Sequence, residues 1–172
     1  MTQELTDLRN SILEGRYEDA LALVDELEGM SKQAILRNLK SFTVRLVVHL
    51  IKNQVEQRLT NSWAASIGDS VQQIQQLNLK DNKTSYYIKE HEWEPVLEEC
   101  LKAAIRPASA EVRGGRLSPF QLAQLLDRAQ IIAAAQKLLA LTYVYSAGDL
   151  PEVIDEHLAE LPGGEDWKQG EQ

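Results

Sequence analysis

The sequence predicts an all-α fold, a single-domain helical bundle of about six to seven helices around a long central helix at about 31–59. Three observations lead there. Apolar residues recur at spacings of three and four along the whole chain, and no segment sustains the alternation and turn punctuation of strands. Cap and stop residues divide this pattern into rods. Between Val44 and Ile51 only Arg45 and His49 are polar, so the rod that carries them is apolar around most of its circumference and belongs at the centre.

The first helix covers about Gln3 to Glu14, with Leu5, Leu8, Ile12 and Leu13 on one face and Gly15 placed to end it. A second runs from about Tyr17 to Glu28, buries Ala20, Leu21, Val24 and Leu27, and stops at Gly29, so the two form a short antiparallel pair. Ser31 caps the third, whose Ile35, Leu36, Leu39, Phe42, Leu46, Leu50 and Ile51 follow the helical period. Its β-branched Val44, Val47 and Val48 suit a strand as well, but the pattern extends too far on both sides for one. Asn61 or Ser62 caps a fourth helix with Trp63, Ile67, Val71, Ile74 and Leu77 inside, and Asn78 to Asn82 forms a polar loop.

A fifth helical region starts near Thr84, where Pro95 either kinks it or opens a new helix, and its Val96, Leu97, Cys100, Leu101, Ala104 and Ile105 make a clean stripe. The sixth has the best start signal, Ser118 with Pro119 and Gln121 in a capping box, and continues through Phe120, Leu122 and the run Ala133-Ala134-Ala135 to about Tyr145. Asp149 and Pro151 begin a short last helix. The expected domain is 1–161, with 162–172 a polar, disordered tail.

Composition narrows the function classes. With 172 residues, 44% of them hydrophobic, the chain suits one domain with a real core. A net charge of −8 repels phosphate backbones, which makes nucleic acid an unlikely partner. Cys100 is the only cysteine and has no intramolecular disulfide partner, and the opening Met1-Thr2-Gln3-Glu4 lacks a basic-then-apolar leader, so the expected compartment is cytoplasmic. The stretch from Ala129 to Val144 is interrupted by Gln130, Gln136 and Lys137, and no membrane span is expected.

No complete catalytic constellation occurs, and no cofactor is expected. The polar residues with most chemical promise are Arg45 and His49, four apart on one helix face, with Arg58 and Trp63 beyond them. Two cations and an imidazole there suit an anion or a proton transfer, whereas a solvated structural seam uses the same residues. A weaker alternative is a metal site of Glu26, Glu28 and His49, although His91 and Glu94 have the reverse of the glutamate-before-histidine order that helical di-metal sites use. Tyr86, Tyr87 and Trp93 are candidates for an aromatic interface.

The residues Leu39, Arg45, Leu46, His49, Leu50, Lys52, Arg58, Ser62, Trp63, Ile67 and Ile74, preceded by Asp25, Glu26, Glu28 and Met30, resemble the hallmark pattern of an uncharacterised bacterial family, the domain of unknown function numbered twenty-nine. The resemblance covers about Leu8 to Ile105. Asn53 stands where that family usually has tryptophan. The resemblance implies an all-helical fold and a bacterial, often cyanobacterial, cytosolic setting, and it implies no activity. The expected function is a small protein-interaction or self-associating module without catalytic activity, its partner a protein or a second copy; the alternative is an enzyme or an anion- or metal-binding protein centred on Arg45, His49 and Arg58.

Overall fold

The computed structural model describes residues 2–170. The chain is all-α and divides into two compact units, residues 1–38 and residues 39–172, with the boundary inside one long helix. Among the described residues there is no strand beyond an isolated bridge between Leu79 and Tyr86.

The first unit holds α1 (Thr2–Leu13) and the start of α2 (Tyr17–Glu56). Gly15 ends α1 as the sequence indicates: its φ of 75° lets Arg16 N–H reach back to Ser11 O at 2.8 Å, a bond that closes the last turn. Only Ser11 and Ala20 are buried among the described residues of this unit, and Leu8, Leu23 and Leu27 are half-buried. The expected apolar faces are largely wet, with Leu5, Ile12, Leu13 and Leu21 all exposed. A pair of helices covers only the faces they turn to each other, and these residues lie elsewhere.

The expected break at Gly29 and Ser31 does not occur, because α2 passes through both without interruption. Glycine inside a helix costs only about 1 kcal/mol relative to alanine, too little to end forty residues of cooperative helix. The second and third helices of the sequence reading are therefore one.

In the second unit the rest of α2 supplies the core with Leu39, Leu46, Val47, Leu50 and Ile51. Around it stand α3 (Asn61–Asn78), α4 (Trp93–Ser109), α5 (Pro119–Leu125), α6 (Arg128–Leu141), α7 (Leu150–Leu158) and α8 (Gly164–Gln169). Helix α3 packs on α7, α4 on α5 and α6, and α6 on α7. Their fully buried side chains, among them Ile67, Ile74, Leu97, Leu101, Leu139 and Ile154, each contribute about 1.5–3 kcal/mol by leaving water.

Four boundaries differ from expectation. Thr60 caps α3, its hydroxyl accepting from Trp63 N–H at 3.1 Å, where Asn61 or Ser62 was expected. The stretch from Thr84 to Lys89 is not helical; a 3-10 turn at Glu90–Glu92 leads into α4, with Pro95 in the first turn, where N–H groups have no helical partner in any case. The long sixth helix is two: Leu126 and Asp127 are extended, and Asp127 caps α6 by accepting from Gln130 N–H at 3.2 Å. Gln54 of α2 braces this corner by donating to Asp127 O and accepting from Asp127 N–H, a backbone-like pair made by a side chain. Phe120, the first apolar residue after the capping box, is 84% exposed.

The fourth difference is past Pro162, where disorder was expected and α8 forms. Asn53, itself buried, donates its amide hydrogens to Arg58 O at 3.0 Å and Pro162 O at 2.8 Å, which ties this segment to the turn before α3. Gly163 has φ 70°, and a Cβ there would stand 2.7 Å from Arg58 Cα, while one at Gly164 would collide with the carbonyl oxygens of Leu158 and Ala159. Trp167 Nε1 donates to Asn61 Oδ1 at 3.2 Å. Two glycines that read as a loose end are what lets the backbone approach so closely.

Candidate functional site

The polar seam of α2 is engaged along its length. Arg45 pairs with Asp69 of α3 at 2.8 Å and its guanidinium also reaches Ser66 Oγ at 3.4 Å. One turn on, His49 Nδ1 lies 2.9 Å from Arg45 O; a carbonyl only accepts, so Nδ1 carries the proton and Nε2 is the basic nitrogen. Burial lowers the pKa of His49, helped by the nearby cations Lys52 and Arg45 and opposed by Glu111 and by the bond to Arg45 O. The imidazole is therefore neutral at neutral pH.

Lys52 is buried to its tip, where its ammonium stands 3.5 Å from Glu111 and 4.9 Å from the centre of the Trp63 ring. Arg58 also lies over Trp63, its Cζ 4.7 Å from the ring centre, and pairs with Glu56 at 3.6 Å. Trp63 faces inward as its spacing to Ile67 and Val71 indicates, and two cations use its ring as a platform.

The four residues singled out in the sequence are thus divided. Arg58 and Trp63 meet; Arg45 is directed to α3; His49 is bonded within its own helix. They do not converge on a common anion, and the clefts of the second unit have other residues as their walls. The alternative metal site is not assembled either: Glu26, Glu28 and His49 ride one unbroken helix, where residues many turns apart cannot meet at one ion, and among the described residues no group of three or more His, Cys, Asp or Glu is arranged to hold a metal.

Two of the three aromatic candidates, Trp93 and Tyr86, join Tyr143 in one joint, while Tyr87 is half-buried beside Lys80. Trp93 is 2% exposed, which rules it out as an exposed anchor, and its indole donates to Tyr143 Oη at 2.6 Å. That oxygen also accepts from Asn78 Nδ2 at 3.0 Å and donates to Ile88 O at 2.6 Å. Asn78 completes the joint by accepting from Ile88 N–H at 2.7 Å and donating to Ile88 O at 2.8 Å. Tyr86 packs edge-on against Tyr143 with ring centres 4.6 Å apart, and Lys80 lies 5.4 Å from the centre of the Tyr87 ring. Burial raises the Tyr143 pKa, an effect that the Trp93 and Asn78 bonds partly offset. Cys100 is a buried thiol pushed up to about 11 by burial, which leaves it a structural group.

The sequence reading missed a cavity of about 250 Å³ with Leu50, Asn53 and Ala134 in its wall and Lys137, His157 and Glu160 at its polar edge. The one signal that pointed there was the alanine run. Ala135 is buried as expected for a close helix contact, whereas Ala133 and Ala134 help to leave the space open.

No helix among the described residues is long and apolar enough to cross a membrane. Neither curated proteins nor solved structures contain a match to the chain. A family model, the domain of unknown function DUF29, matches residues 3–131, well over half of the 172 residues. That match takes in α1 to α5 with the whole seam from Arg45 to Trp63, and on its strength the chain belongs to the DUF29 family.

Proposed function

We propose that the protein acts as a self-associating helical module, in which the first unit pairs with the same unit of a second copy. The observation that carries this reading is its uncovered apolar surface. Leu13, Tyr17 and Leu21 are 77%, 65% and 65% exposed, and Leu5, Ile12, Val24 and Met30 are exposed with them. So many large apolar side chains left in water on one short helical hairpin are the kind of surface that a partner covers.

Charge favours a second copy over an unrelated partner. Within the first unit, α2 is acidic at Glu18, Asp19, Asp25, Glu26 and Glu28 and then basic at Lys32 and Arg37. Two such segments laid antiparallel set the acidic half of each beside the basic half of the other, and a two-fold pairing satisfies both copies at once.

Sedimentation of the purified chain at low and high micromolar concentration tests the reading. Dimer is expected, and Ile12→Glu with Leu21→Glu should weaken it by at least about a hundredfold, since two buried aliphatic contacts at 1.5 kcal/mol or more are lost. Both positions are exposed, so folding of the isolated chain should be unaffected. A wild-type monomer at every concentration, or a dimer indifferent to both charges, would refute it.

A further inference from the structure

We infer that the cavity between α2, α6 and α7 is a binding site for a small zwitterion with an aliphatic body, of the chemistry of a free apolar amino acid. Its volume of about 250 Å³ falls just below the roughly 300–1,000 Å³ of sites for drug-sized ligands, so its occupant is small. Aliphatic side chains such as Leu50, Ile131 and Leu138 form the wall, and Ala134 stands where any larger residue would fill the space.

The polar groups at its edge are of two kinds. Lys137 has no ion pair or hydrogen bond among the described residues, so its ammonium is available to a carboxylate. Opposite in chemistry are three acceptors. Both amide hydrogens of Asn53 are engaged by Arg58 O and Pro162 O, which leaves Oδ1 as its remaining group. His157 Nδ1 lies 2.9 Å from Val153 O and so carries the proton, which leaves Nε2 as an acceptor. Glu160 adds a carboxylate with no cation paired to it among the described residues. One cation and three acceptors around an aliphatic hollow match a molecule that carries a carboxylate, an ammonium and a branched hydrocarbon chain. This site lies wholly in the second unit, so it stands or falls independently of self-association.

Calorimetry and thermal melting with L-leucine, isocaproate and isoamylamine test the assignment, because the second probe lacks the ammonium and the third the carboxylate. Leucine should bind and raise the melting temperature, and each analogue should bind at least about tenfold more weakly, the value of one charge-assisted hydrogen bond. Lys137→Gln should weaken leucine and isocaproate while leaving isoamylamine unchanged; Glu160→Gln should weaken leucine and isoamylamine while leaving isocaproate unchanged. Ala134→Leu should abolish binding of all three, and the two exposed polar substitutions keep the test decisive if that variant folds poorly. No heat and no melting shift with millimolar leucine, isocaproate equal to leucine, or leucine binding intact in Ala134→Leu would each overturn the inference.

Discussion

Replacing Tyr143 with phenylalanine isolates the joint that holds the 79–92 segment. The hydroxyl is fully used, accepting from Trp93 and Asn78 and donating to Ile88 O. Phenylalanine keeps the ring edge-on against Tyr86 and removes only the oxygen. Ile88 O retains its bond from Asn78, so two donors are orphaned, the Trp93 indole N–H and one Asn78 amide hydrogen. Each unsatisfied buried donor costs about 1–3 kcal/mol, and since Tyr143 is half-buried water can reach part of the gap, so we expect a loss of about 2–4 kcal/mol. For a chain of this size that lowers the melting temperature by roughly 4–16 °C. Urea unfolding followed by tryptophan fluorescence measures it. Trp93→Phe combined with Tyr143→Phe should cost less than the sum of the singles, because Trp93→Phe removes the donor that Tyr143→Phe orphans. A loss below about 0.5 kcal/mol for Tyr143→Phe, within the scatter of ordinary surface changes, would show that the joint is ornamental.

Two further outcomes follow from the same geometry. Gly29→Ala should raise stability by about 0.5–1 kcal/mol in the same urea assay, because the residue is helical and a Cβ there meets nothing within 4 Å; a loss instead would mean that α2 is not continuous at that point. His49, with its pKa lowered below the ordinary 6.5 by burial and by the cations Lys52 and Arg45 against the opposing carboxylate of Glu111, contributes stability that is present above pH 6.5 and is lost as pH falls through the lowered value. Nuclear magnetic resonance should place its titration below the ordinary 6.5, and His49→Gln should flatten the acid limb of the stability profile; a His49 titration at or above 6.5 contradicts this.

What could be read from residues alone tracks how local the physics is. The all-helical class, the Gly15 stop, the Ser118 capping box and the inward face of Trp63 depend on neighbours three or four positions away, and all appear in the structure. Gly29 with Ser31 carried the same local signature as a real break, and only the accumulated cooperativity of the flanking turns shows that it is not one. The opposite error occurred at Asp127, where the break was missed although aspartate is a favourable cap, because apolar residues on both sides keep the period. For the candidate site, the sequence placed Arg45 and His49 on one face correctly. It contained nothing to reveal that Asp69 would claim the first, that Arg58 would lie over Trp63, or that Lys137, His157 and Glu160 would share a hollow. Those pairings join positions far apart in the chain, and no periodicity encodes them.

The clamp that Gln54 places on Asp127 means that the direction of α6 is held in part from outside its own stretch of chain. Asp127 caps α6 with its own carboxylate and its carbonyl takes the helical bond from Ile131 N–H, so the distant glutamine adds a partner for Asp127 N–H and a second bond to that carbonyl, which braces the elbow from outside. Shape at this corner is thus in part a property of assembly, and a designer wishing to re-aim the wall of the nearby hollow would edit α2 as well as the bend itself.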